Sequence, residues 1–102
     1  MKIENEGNHL RVSDISELNA VNASNFREEV RAAMPASPES IEIDLSQTSF
    51  VDSSGLGALF ALYKTANNGH GGVTLRLLNP RPAIQQLFEL TQLHHLFEIT
   101  RR

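Results

Sequence analysis

Apolar and polar residues alternate with period two at Leu10 and Val12, and again at Ile41, Ile43 and Leu45, with Glu42, Asp44 and Ser46 between them. That pattern predicts strands with one buried face. Upstream, "MKIEN" and "HLRVS" flank Glu6-Gly7-Asn8-His9, and Gly-Asn suits a two-residue hairpin loop. Two short antiparallel strands are therefore expected at the start of the chain. "VTLRLL" repeats the alternation, placing Val73, Leu75 and Leu77 on one face. A last short strand is expected from Leu96 to Ile99.

Three segments instead follow the helical period. Ala23, Phe26, Val30, Ala33 and Met34 recur at helical spacing, with Asn22 as the expected N-cap and Pro35 as the stop. "PASPES" then reads as a polar loop. Leu56, Leu59, Phe60 and Tyr63 form an i, i+3, i+4, i+7 stripe. Leu62 falls off that stripe and is read as an apolar residue facing a partner. This helix ends in "NNGHGG", where Gly69 or one of the asparagines is expected to take a left-handed cap. "NPRPAIQQLFELT" predicts a third helix with Asn79 as cap, Pro80 at the first position and a stripe of Ile84, Leu87 and Phe88. The order β-β-α-β-α-β-α-β implies an α/β fold: one mixed sheet of four to five strands with about three helices packed against it.

Composition narrows the function classes. The 102 residues suit one domain over 1–102, and 40% hydrophobic content supports a core. A net charge of -3 with scattered basic residues argues against nucleic-acid binding. The lack of cysteine removes disulfides and thiolate metal sites. The N-terminus has no apolar targeting core, and no apolar run reaches membrane-spanning length, so a cytoplasmic domain without membrane insertion is expected. A free monomer is expected too, since no excess apolar face is evident.

The densest chemistry sits in "FVDSSGLG", residues 50–57, between a strand and a helix. A nucleophilic serine would need G-x-S-x-G and a placed histidine, but Val51 and Asp52 precede the serines. His9, His70, His94 and His95 stand in turns or near the C-terminus. A phosphate loop would need G-x-x-x-x-G-K-[ST], which is missing. His94, His95 and Glu98 are the metal candidates. Adjacent histidines diverge on a helix or strand, so the set falls short of a closed site and no metal or cofactor is expected. Asp52 or Ser53 would cap a helix, worth about 1 kcal/mol. A cap explains one polar residue, yet Gly55 and Gly57 would cost the first turn about 1 kcal/mol each. They would allow close packing on the sheet or leave backbone open to a partner. The residues alone leave a plain cap and a functional surface both open.

The segment from Ile41 to Ile99, with its apolar-flanked D-S-S-G-L-G and the ending "LLNPRPAIQQLFELTQLHHLFEI", resembles the STAS domain, named for sulfate transporters and anti-sigma factor antagonists. The resemblance implies a non-enzymatic partner switch. An anti-sigma factor that is also a serine kinase binds the unphosphorylated antagonist and releases its sigma factor. Phosphorylation ends the binding, and a serine phosphatase restores it. By position the acceptor would be Ser54, with Ser53 second. Asn19, Asp52, Ser53, Ser54, Gly55, Leu56, Gly57 and Leu62 would form the partner surface. One departure stands out: members often carry G-x-L-D before the first helix, where this chain has Ser16-Glu17-Leu18-Asn19. A constitutive subunit of a lipid-transporting ABC system or of a stress-sensing assembly is the alternative.

Overall fold

A computed structural model describes residues 1–68 and 72–102. The chain opens with β1 (Lys2–Glu6) and β2 (His9–Ser13), joined by the expected tight turn, where Gly7 takes φ 61°. There follow β3 (Glu17–Leu18), α1 (Ala23–Ala33), β4 (Ser40–Asp44), β5 (Phe50–Val51) and α2 (Ser53–Ala66). Then come β6 (Thr74–Leu78), α3 (Pro82–Leu90), a 3-10 turn at Leu93–His95 and β7 (Glu98–Thr100).

Five strands form one mixed sheet in the order β1-β2-β4-β6-β7, antiparallel only between β1 and β2. Each parallel crossover carries a helix and moves the chain one strand onward. With every crossover of the usual hand, the three helices share one face. Leu10, Val12, Ile41, Ile43, Leu75 and Leu77 point into that face and are buried with Phe26, Val30, Leu59 and Phe88 of the helices.

The opposite face carries charge. In register across the sheet stand Glu4, Arg11, Glu42, Arg76 and Glu98, alternating in sign from edge to edge. Glu42 forms ion pairs with Arg11 and Arg76, each at 3.6 Å, and accepts from Arg102 at 2.9 Å, and Arg76 also meets Glu98 at 3.2 Å. Self-neutralised charge keeps an uncovered sheet face wet and unattractive to another sheet.

A second, two-stranded sheet was not legible in the sequence. β3 and β5 pair in parallel, Glu17 with Phe50 and Leu18 with Val51. Around them the buried Thr48 hydroxyl donates to the Ile15 carbonyl at 2.6 Å, and Ser49 N–H donates to the Ser16 carbonyl at 2.9 Å.

Several expectations are corrected. Leu62 is fully buried, whereas Phe60 is 39% exposed. The buried arc of α2 is centred between Leu59 and Leu62 and includes Gly55 and Ala58, small residues that a stripe drawn through large side chains overlooks. Asn22 occupies the N-cap position but caps nothing; it bonds Asn19 N–H and the Glu17 carbonyl instead. The third helix starts at Pro82, not Pro80, because Pro82 takes the first position and holds Arg81 extended before it. Asn79 takes φ 52° and accepts from Arg102 N–H at 2.8 Å. At the end of α2, Asn67 has φ -100° and works through its side chain, joining the Tyr63 carbonyl and Val73 N–H, each at 3.0 Å. Gly69, the other expected cap, lies outside the described residues. The final strand begins at Glu98 rather than Leu96 because the 3-10 turn occupies Leu93–His95.

The burial of Leu62 can be checked by denaturation. Leu62→Ala should lower unfolding free energy by about 2–5 kcal/mol, as for other core leucines. A loss within about 0.5 kcal/mol, typical of a surface site, would return Leu62 to the exterior.

Candidate functional site

The junction is built from Asp52 outward. Val51 ends β5 inside the core, and Asp52 stays extended at φ -105° before α2 begins. One carboxylate oxygen accepts Gly55 N–H at 3.0 Å, closing the first turn of the helix. The other accepts Ala20 N–H at 3.1 Å, from the loop between β3 and α1. A serine cap could not hold both segments, and an asparagine would present a donor to one of them. Asp52, one of the two caps the sequence offered, thus closes the helix and also ties it to a segment 32 residues away.

The two glycines have different reasons. A Cβ on Gly55 would lie 2.9 Å from Leu18 Cβ and still closer to the Leu18 carbonyl oxygen, so α2 can rest on β3 only with glycine there. A Cβ on Gly57 would meet nothing within 4 Å. Gly57 is exposed, and packing does not require it.

Ser53 and Ser54 are exposed in the first turn of α2, and neither hydroxyl makes a hydrogen bond among the described residues. Ser54 and Gly57 line a depression of about 250 Å³ between the helices, bounded on the other side by Ala20, Ala23, Ser24 and Arg27. Gly55, Leu56 and Leu62, expected on the partner surface, are instead buried on the core side of α2.

Asn19 sits beside the junction, in the same loop as Ala20. Its Oδ1 accepts Val21 N–H at 2.9 Å, and its Nδ2 donates to the Glu17 carboxylate at 2.9 Å. An aspartate would face that carboxylate, so asparagine suits a chain with Glu17.

Three surface residues escaped the sequence reading. Val21 is 90% exposed, Phe50 52% and Phe60 39%, around the loop, β5 and α2 that carry the serines. Phe50 could have been found, because Val51 points inward and its neighbour must then point out. Phe60 also carries Lys64 over its ring, 5.7 Å from the centroid.

The other candidates fall elsewhere. His9 binds Ser40 Oγ at 2.6 Å and Glu39 at 3.2 Å, on the sheet face away from the helices. His94 and His95 do not diverge; on the 3-10 turn their rings lie 4.0 Å apart. Glu98 is engaged by Arg76.

With this geometry in place, a family model described as the STAS domain matches residues 1–102. Among solved structures, an anti-sigma factor antagonist from Mycobacterium paratuberculosis is 28% identical, with a TM-score of 0.79, over 96% of this chain and 81% of that one. A Thermotoga maritima protein proposed as an anti-sigma factor antagonist superposes with a TM-score of 0.85 at 21% identity, covering 99% and 85% of the two chains. The unphosphorylated anti-sigma factor antagonist SpoIIAA gives a TM-score of 0.75 at 20% identity, covering 99% and 86%. No helix among the described residues is long and apolar enough to cross a membrane.

The two glycines should separate in a thermal melt. Gly55→Ala forces backbone apart and should cost about 1–3 kcal/mol. Gly57→Ala should gain about 1 kcal/mol from helix propensity. Equal effects would overturn the assignment of Gly55 to packing and Gly57 to surface. For the loop, Asn19→Asp should cost about 1 kcal/mol at neutral pH, a lost hydrogen bond plus repulsion from Glu17. Denaturation in 1 M salt should show part of the cost fading as the repulsion is screened; a salt-independent cost would point to geometry instead.

Proposed function

Because this chain belongs to the STAS domain family, we propose that it is an anti-sigma factor antagonist working as a phosphorylation-controlled partner switch. Unphosphorylated, it binds an anti-sigma factor with serine kinase activity. Phosphorylated on Ser54 by that kinase, it lets go, and a serine phosphatase resets it. It acts in the cytoplasm by binding, not by catalysis.

The exposed Ser54 hydroxyl, unengaged and set above a bare glycine, carries this reading. Ser54 is favoured over Ser53 because it lines the depression between α1 and α2 and Ser53 does not. Val21, Phe50 and Phe60 are exposed apolar side chains on the loop, strand and helix that meet at the junction. SpoIIAA supports the reading by likeness, having been solved in both unphosphorylated and phosphorylated forms.

The physics of release is local. A phosphate brings about -1.5 to -2 charges at pH 7. In the free protein it lies in water at the start of a helix, where an anion is tolerated. In a complex it would be buried against an apolar contact, and an unpaired buried charge is costly. Modification therefore breaks the complex and leaves the fold intact.

Phosphosite mapping of protein from its own cells should find phosphate on Ser54, varying with growth condition. The protein should also capture a kinase-type partner, with Ser54→Ala retaining it and Ser54→Asp weakening it at least about tenfold, some 1.4 kcal/mol. Full affinity in Ser54→Asp, with no phosphate in any condition, would refute the switch and favour a constitutive subunit. Phosphate on Ser53 alone would move the acceptor by one residue.

A further inference from the structure

The depression beside Ser54 contains one charged residue, Arg27, for which the switch described above has no use. Arg27 is exposed on α1, one turn beyond Ala23, and it shares the depression with Ser54 and Gly57. Arg11, Arg31, Arg76 and Arg102 are each held by a carboxylate. Among the described residues Arg27 makes no ion pair and no side-chain hydrogen bond.

We propose that Arg27 receives the phosphate of phosphorylated Ser54 across this depression and draws the modified side chain down between α1 and α2. The inference rests on the reading of Ser54 as the acceptor. A guanidinium presents a planar fork of donors that matches phosphate oxygens in pairs. The space is open, because Ala23, Gly57 and Ala58 offer it little or no side chain. Repulsion is muted as well. Asp52 does not line the depression, and both its oxygens already accept backbone N–H groups. Asn19 adds no negative charge on the loop side. Held by Arg27, the phosphate would occupy the hollow that a partner's side chain would otherwise enter.

The test installs phosphoserine at position 54 by genetic encoding, so no kinase is needed, and follows its second ionisation by ³¹P NMR. That ionisation should lie about half a unit lower in the native sequence than in Arg27→Gln, a solvent-screened version of the shift an opposite charge causes. Arg27→Lys should keep part of the shift, and 1 M salt should shrink it. Helix amides act equally in all three proteins, so the difference reports Arg27 alone. The unphosphorylated variants should melt with the native protein, because Arg27 is exposed and has no ion-pair partner among the described residues. An ionisation identical in native and Arg27→Gln proteins overturns the proposal. Failure to find phosphate on Ser54 in cells would instead refute the acceptor reading and leave the titration result standing.

Discussion

The Leu18 carbonyl is the point on which the junction turns. Its oxygen accepts Asp52 N–H at 3.0 Å, and it lies where a side chain on residue 55 would have to go. Around that contact the segments 15–18 and 48–52 close like a short zipper, with the buried Thr48 hydroxyl bonded to the Ile15 carbonyl at its start. Burial leaves such backbone groups no water to turn to, so the pairing is nearly obligatory. Once it forms, α2 must start beside the β3–α1 loop, and the serines, Ala20 and Asn19 come together.

Above this base the two faces of the main sheet lie apart from the serine-bearing junction. The helical face of the sheet holds the apolar core, and the other face is a lattice of alternating charges centred on Glu42. Neither includes Ser53 or Ser54, which stand exposed in the first turn of α2. In the proposed switch this arrangement would let charge added at Ser54 act on a partner without passing through the fold.

The surface chemistry also shows local compensation. Glu17 and Asn19 form a matched pair across two residues, where the family pattern often places an aspartate. Gly57, at a position where alanine would be the better helix former, keeps the hollow between the helices open. A position that gives up helix propensity without a packing need reads as one shaped for contact.

The sequence by itself determined the order of the three helices and five main strands, the buried faces of those strands, a helix cap at Asp52 or Ser53 and the family resemblance around D-S-S-G-L-G. These are written in local patterns: period two, period 3.6 and cap residues beside proline and glycine. Only the tertiary structure decided that Leu62 is core and Phe60 surface, because the buried arc of α2 depends on what packs beside it. It alone revealed β3 and β5, since two residues carry no period and their pairing joins positions some thirty residues apart. It also divided the roles of Gly55 and Gly57 and placed Arg27 across from Ser54, for such neighbours are made by helix packing and not by distance along the chain.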